Sequence, residues 1–333
     1  MIIAHCHWYF PAAIGDNLAF RLVIGNGRHG VAVFFVISGY LITGLLLREF
    51  DKTGTVSLKR FYFRRTLRIF PPFYAFLAVV GLLWVMGIAI GEDLPSFLAA
   101  ATYTVAYYPG MKMGVIFHSW SLSIEEQFYL LWPLTFLIWH RRQKVVNLAF
   151  ILILLMPVVR LALYFIAPGQ RGHEDYMVQG WVDTMMVGCL LALLKREPKW
   201  ERRRRRYLNA WTASAMAITG FFVVPWVALV LPRNLSAPFG LVENTLTALC
   251  IGGVLVYVVE NTDSLAAKIL NNRVIRHVGV LSYSIYLWQA LFTWESLPML
   301  PYGLVYTLAA AEISYWLVER PALSLRTRLE SRL

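Results

Sequence analysis

The run GVAVFFVISGYLITGLLLR, residues 30–48, decides the fold class. It carries no charge before Arg48, and it approaches the about 20 mostly apolar residues that a membrane-crossing helix needs. Working outward from it, the same pattern recurs along the chain. Ten segments are expected to span: 1–13, 30–48, 69–90, 120–139, 145–166, 178–194, 208–231, 241–259, 278–298 and 301–319. The segment 94–108, LPSFLAAATYTVAYY, is shorter and more polar, and reads as a re-entrant or interfacial helix. The expected fold is therefore an all-α polytopic membrane protein, a bundle of about ten transmembrane helices. Residues 1–322 are read as the membrane-embedded domain and 323–333 as a short basic cytoplasmic tail.

Composition agrees. Of 333 residues, 58% are hydrophobic and 15% are charged, against about 25% charged in a soluble domain. The net charge of +12 would suggest nucleic acid in a soluble protein. Here the basic residues concentrate in alternate loops: 48–68, 140–144, 195–206, 260–277 and the C-terminal tail. That asymmetry places those loops and the C-terminus in the cytoplasm. The arginine run 202–206 then reads as an anchor near anionic lipid, with no nucleic-acid partner. Cys6, Cys189 and Cys250 form no CxxC pair, so neither a disulfide framework nor a metal site is expected.

The chain opens MIIAHCHWYFPAA, apolar but short, with no basic flank before it. It reads as the second half of a first helix whose beginning is truncated, not as a signal peptide. His5 and His7 lie within it. A histidine inside a span is costly and marks a candidate site. Two residues apart on a helix, the pair are about 200° apart around the axis, so only one can reach an interior site.

In KRFYFRRTLRIFPPFY, residues 59–74, Arg64 and Arg68 are four apart and Arg65 and Arg68 three apart, so they share a helix face. Guanidinium forks suit the phosphate oxygens of a nucleotide, coenzyme A or a lipid headgroup; snorkelling anchors are the plainer alternative. Pro71–Pro72 is read as a sharp start to the span.

The stretch HSWSLSIEEQFYLLWP, residues 118–133, places two carboxylates near the mouth of an apolar helix. Ser123 and Glu126 match the spacing of a capping box, which gives Glu126 a structural role. Glu125 has none. It lies four residues from Ser121 and from Tyr129, on one polar stripe, and at membrane depth it must pair, protonate or face water. His118 lies just outside. Ser38–Gly39 lets another backbone or a ligand approach closely, and Asp183 is a further intramembrane acid. Glu319–Arg320 reads as an interfacial pair.

Together these runs resemble the integral-membrane acyltransferase family often called acyltransferase type three, whose best-known members O-acetylate bacterial cell-surface glycans. GVAVFFVISGYLIT, FYFRRTLRIFPPFY, HSWSLSIEEQFYLLWP, LSYSIYLWQ and SYWLVERP each look like a signature run of that family, in order and over nearly the whole chain. The resemblance implies that a histidine of the first span is catalytic, with His5 the better match. It implies that Arg65 and Arg68 handle acetyl-CoA, that Glu125 is the acid of the WSLS run, and that Asp183 is an acid ahead of a glycine. Two positions depart. The family carries a basic residue about ten positions before the histidine, beyond the Met1 at which this sequence starts. A histidine common in the YLWH run is Gln289 here.

The expected activity is transfer of an acyl group, acetyl above all, from acyl-CoA to a hydroxyl of a cell-surface carbohydrate or glycolipid. No bound cofactor is expected, and the donor is acetyl-CoA or another acyl-CoA. His5 would serve as general base or transient acyl carrier, with Glu125 orienting it. A secondary transporter also buries His, Glu and Asp, but favours internal repeats, and none is apparent. A non-catalytic membrane scaffold would leave His5, Glu125 and Asp183 unexplained. A succinyl or longer acyl group is the variant within the same enzyme class.

Overall fold

The structure is a computed structural model, which describes residues 22, 27–88, 92–108, 114–139, 144–171, 176–293 and 302–330. Its described helices are α1 (Gly27–Thr53), α2 (Leu58–Val85), α3 (Leu94–Ala101), α4 (Trp120–Trp139), α5 (Lys144–Ile166), α6 (Val182–Leu194), α7 (Pro198–Tyr207), α8 (Ala210–Ile218), α9 (Val224–Val230), α10 (Arg233–Glu260), α11 (Leu265–Leu270), α12 (Arg273–Thr293), α13 (Gly303–Ser314) and α14 (Arg320–Glu330). One π turn, Thr219–Val223, joins α8 to α9, and a second, Tyr315–Glu319, joins α13 to α14.

Among the described residues, five helical stretches are long and apolar enough to cross a membrane, not ten: Gly27–Thr53, Leu58–Val85, Lys144–Ile166, Ala210–Val230 and Asn234–Glu260. The correction has physical causes, segment by segment. The segment expected at 178–194 yields only the 13 residues of α6, about 20 Å of helix at 1.5 Å per residue, short of a roughly 30 Å hydrocarbon core. The helix α4 has the expected bounds, but Glu125, Glu126 and Gln127 dilute its apolar character. The helix α12 starts before the expected 278 and takes in Arg273, Arg276 and His277. The last expected segment, 301–319, carries Glu312 and Glu319 and runs through a π turn into the charged helix α14, which dilutes its apolar character. The expected span 1–13, with its truncated first helix, lies outside the described residues. The segment 94–108 forms the short helix α3 and the 3-10 turn Val105–Tyr107.

Pro71 and Pro72 also depart from expectation, because they lie inside α2 and do not begin it. The helix starts earlier, where Ser57 caps it by accepting a bond from the Arg60 amide. Beside the prolines the Ile69 carbonyl takes a hydrogen bond from the Tyr283 hydroxyl at 2.9 Å.

The described chain divides into two compact units. The first draws on residues 27–56 and 131–268. Its centre is the crossing of α1 and α6. A Cβ on Gly39 would stand 2.1 Å from the Met185 carbonyl oxygen, and one on Gly188 would stand 2.0 Å from the Val36 carbonyl oxygen. The two glycines therefore let the backbones touch, which is how small residues drive helix packing in lipid. Nine of the 13 residues of α6 are buried. The later half of α4 joins this unit, with the Trp132 indole donating to the Thr43 hydroxyl at 2.9 Å. By contrast α5 exposes Phe150, Ile151, Leu154, Leu155 and Val158, an apolar face suited to acyl chains.

The second unit draws on residues 57–130 and 269–330. Its core packs Phe73, Phe76 and Val80 of α2 against Ala100, Ile116, Leu122 and Leu287. The helix α3 begins at Asp93, whose carboxylate accepts from the Ser96 amide, with Pro95 in the first turn. The Tyr74 hydroxyl binds the Ala101 carbonyl at 2.8 Å, near the end of α3. Buried Glu92 accepts a bond from the Ile116 amide and ties down the approach to α4. The Tyr62 hydroxyl reaches the Leu130 carbonyl at 2.8 Å, holding the first half of α4 beside α2.

Candidate functional site

Of the residues singled out in the sequence, His5 and His7 lie outside the described residues. The structure brings the arginines of α2 and the carboxylates of α4 together, within the second unit. The Arg65 guanidinium lies 5.0 Å from the centre of the Tyr129 ring and 5.7 Å from that of Phe61, a cation–π arrangement. Its charge interacts with Glu125 and Glu126, and with the like charge of Arg68. The Tyr129 hydroxyl in turn donates to Glu125 Oε1. Tyr129 and Glu125 are both buried. The polar stripe read along α4 is therefore a physical relay, in which one tyrosine supports the arginine with its ring and the carboxylate with its hydroxyl. Arg64 is half-buried on the same helix, and Arg68 is exposed.

Glu126 changes role. The helix α4 begins at Trp120, after the 3-10 turn Phe117–Ser119, so Ser123 lies inside it. The Ser123 hydroxyl donates backward to the Ser119 carbonyl at 3.2 Å. No capping box forms, and Glu126 loses its structural explanation. Its Oε1 is buried and has no hydrogen-bond partner among the described residues.

Tyr103 sits beside these acids, and sequence reasoning missed it. It is 9% exposed, and its hydroxyl, like Glu126 Oε1, is buried without a hydrogen-bond partner among the described residues. Burial first, then the charges of Glu126, Tyr74 and Glu125, push this phenol well above the usual tyrosine range. Its ring stacks on Phe70 at 5.4 Å and 24°, and lies 4.8 Å from Phe73. Its φ is 54°, in the left-handed region that a bulky residue rarely enters. Such a conformation persists only where the surroundings over-determine it. No sequence signal marks it, since a tyrosine following alanines is unremarkable until the turn is seen.

His118 is buried and ordered. Its Nδ1 stands 2.7 Å from the Val115 carbonyl oxygen. A carbonyl only accepts, so Nδ1 carries the proton and Nε2 is the basic nitrogen. The ring meets Phe76 and Tyr286 edge-on at 5.5 Å and 5.1 Å. The Tyr286 hydroxyl donates to the His118 carbonyl and accepts from Ser121 at 2.6 Å.

Glu319 takes a different partner from the one expected. The sequence suggests a pair with Arg320, but Arg320 lies 4.3 Å over the Trp316 ring instead. Glu319 is buried within the π turn, accepts from the Ser284 hydroxyl, and feels the charge of Arg68. Such π turns often mark functional sites.

Asp183 and Ser38 belong to the first unit. Asp183 is fully buried in a two-pronged pair with Arg160: Nη1 to Oδ1 at 2.9 Å and Nη2 to Oδ2 at 2.8 Å. Thr245 donates to the same carboxylate, and Arg160 also bonds the carbonyls of Leu241, Gln179 and Gly180. Asp183 is thus the counter-ion of an arginine inside α5, and every partner of the pair comes from the protein. Ser38 is buried next to Gly39, whose open side meets the backbone of α6. Among the described residues, no three His, Cys, Asp or Glu side chains are grouped to hold a metal ion.

Comparison with known proteins covers the same ground. A family profile described as an acyltransferase domain matches residues 1–318. The peptidoglycan O-acetyltransferase OatA of Listeria monocytogenes is 27% identical over 93% of this chain and 53% of its own length. The O-acetyltransferase OatA of Staphylococcus aureus strain NCTC 8325 is 29% identical over 90% of this chain and 53% of its own length. A putative O-acetyltransferase of S. aureus strain COL, SACOL0978, is 27% identical over 89% of this chain and 52% of its own length. The chain thus spans about half the length of these relatives. No solved structure matches it.

Proposed function

The chain belongs to this acyltransferase family, and on that premise we propose that it is a multi-pass membrane enzyme moving an acetyl group from acetyl-CoA to a hydroxyl of a cell-envelope carbohydrate or glycolipid. The single observation that carries the reading beyond the family is the cluster in which the half-buried Arg65 and Glu126 meet the buried Tyr129 and Glu125. It sets cationic groups suited to a nucleotide's phosphates next to acids suited to proton handling.

In the reaction the thioester C–S bond breaks and an ester C–O bond forms. The acceptor hydroxyl gives up its proton, and the coenzyme A thiolate takes one. His5 acts as the base, or carries the acyl group between two such steps; His7 is the alternative. Glu125, held by Tyr129 and charge-balanced by Arg65, orients that histidine and stabilises its cation. Arg68 and Arg64 grip the donor's phosphates, with Arg65 as a bridge to the acids. The basic loops and the C-terminus face the cytoplasm, where acetyl-CoA is made available. The relatives' names, peptidoglycan O-acetyltransferase and O-acetyltransferase, support a glycan acceptor.

The test is acetyl-CoA turnover and acceptor acetylation by the purified full chain in proteoliposomes. Wild type is compared with His5→Ala, His7→Ala and Arg68→Ala. Loss of turnover in His5→Ala and a raised acetyl-CoA KM in Arg68→Ala are expected. Full activity in His5→Ala would remove the catalytic assignment. Solute uptake without acyl transfer would favour a transporter.

A further inference from the structure

Buried polar groups in folded proteins have partners, and each exception asks for an explanation. In the second unit two exceptions are neighbours: the Tyr103 hydroxyl and Glu126 Oε1. Neither side chain is placed by local convenience. Tyr103 adopts a positive φ with its ring stacked on Phe70 and packed against Phe73. Glu126 lies inside α4 with no capping role. Leu122, one turn before Glu126 on the same face of α4, packs in one core with Tyr103, and the charge of Glu126 acts on the phenol, yet the two groups do not bond each other. A third buried atom without a partner in the same packed aromatic cluster is the Trp288 indole N–H, on a ring 5.6 Å from Phe76.

The chemistry of the set is specific. Glu126 Oε1 accepts. The tyrosine hydroxyl donates or accepts, and the indole donates only. An aliphatic hydroxyl is the complement, because it donates to the carboxylate while accepting from the phenol. The surrounding aromatic faces suit the apolar face of a sugar ring. A phosphate would be repelled by Glu126 and Glu125, so the donor's charged end is excluded here.

We infer that Tyr103 and Glu126 form the hydroxyl-binding pair that receives the acceptor, with Glu126 orienting the hydroxyl to be acylated and Tyr103 fixing its lone pair. The acylation of that hydroxyl rests on the acyl-transfer reading; its binding does not.

The experiment uses the full chain in phosphatidylethanolamine–phosphatidylglycerol vesicles, with Tyr103→Phe and Glu126→Gln. Both keep the side chain's shape. Since Tyr103→Phe deletes an unpartnered hydroxyl, its thermal midpoint should match or exceed that of wild type. The hydroxyl probe is a soluble N-acetylglucosamine trimer. Each variant should raise the probe's KM by about tenfold or more, and in Tyr103→Phe the KM for acetyl-CoA hydrolysis stays near that of wild type. An unchanged probe KM in Tyr103→Phe, or a rise confined to acetyl-CoA, would overturn the assignment.

A binding arm separates this inference from the enzyme reading. Tryptophan fluorescence is titrated with the trimer without donor. A saturable response in wild type that weakens in both variants supports the pair even if no acetyl-CoA turns over. Absence of a saturable response in wild type refutes it even if acetyl-CoA does.

Discussion

Asp183→Asn tests whether the acid marked by the sequence is structural. In the first unit Arg160 and Asp183 are 2% and 0% exposed, so neither charge is solvated by bulk water. The asparagine keeps one oxygen to accept from the guanidinium but loses the second bond and the charge. Breaking a buried ion pair from one side costs about 3–5 kcal/mol, because the remaining charge is left uncompensated. The bonds from Arg160 to Leu241, Gln179, Gly180 and Thr245 survive and hold the loss near the low end, about 3 kcal/mol. That greatly exceeds the roughly 0.6 kcal/mol of an average interhelical hydrogen bond in a membrane. At about 2–4 °C per kcal/mol for a unit of this size, the midpoint should fall by about 6–12 °C. The assay is thermal unfolding of the purified chain in detergent, followed by intrinsic fluorescence. The double variant Arg160→Met/Asp183→Leu removes both charges and should recover most of the loss. A midpoint for Asp183→Asn indistinguishable from wild type would refute the structural reading, and abolished turnover at that unchanged midpoint would return Asp183 to the active site.

Three further outcomes are expected from the packing and from the α2–α4 cluster. Gly188→Ala puts a methyl 2.0 Å from the Val36 carbonyl oxygen and should destabilise by about 3 kcal/mol or more, seen as lost folded yield, whereas Gly44→Ala meets nothing within 4 Å and should be silent. Tyr129→Phe keeps the ring beneath Arg65 and removes only the hydroxyl donated to Glu125; turnover should fall by about tenfold or more, as expected for a lost charge-assisted bond, with unchanged acetyl-CoA KM. Glu319→Gln removes the negative charge acting on Arg68; if Arg68 grips phosphate, the acetyl-CoA KM should fall by up to about tenfold, and a rise would count against that role.

The carboxylates of α4 show how far the sequence reached. Their presence at the mouth of an apolar helix is visible in a one-dimensional pattern, and so is the i,i+4 step from Glu125 to Tyr129. The structure makes that step a hydrogen bond. Which glutamate needed a partner was not legible, because it depended on where α4 starts. A 3-10 turn moves that start to Trp120 and dissolves the capping box. Tyr103 was invisible, and the partner of Glu319 was misread, for a related reason. One is defined by a positive φ and the other by a π turn, and neither leaves a periodic trace in the sequence.

Composition and hydropathy alone determined that this is an all-α membrane protein, since long apolar runs can satisfy their backbone groups in lipid only as helices. The order of the signature runs determined the family. Tertiary structure decided which apolar segments are long enough to cross, because helix ends depend on polar dilution, π turns and local packing. It also decided which charges are paired within the fold and which buried polar atoms are not. Asp183 is consumed by Arg160, an arginine 23 residues away in sequence, while Glu126 and Tyr103 keep buried oxygen atoms without a partner among the described residues. Those distinctions rest on long-range pairing, and burial makes every unpaired group costly enough to be informative.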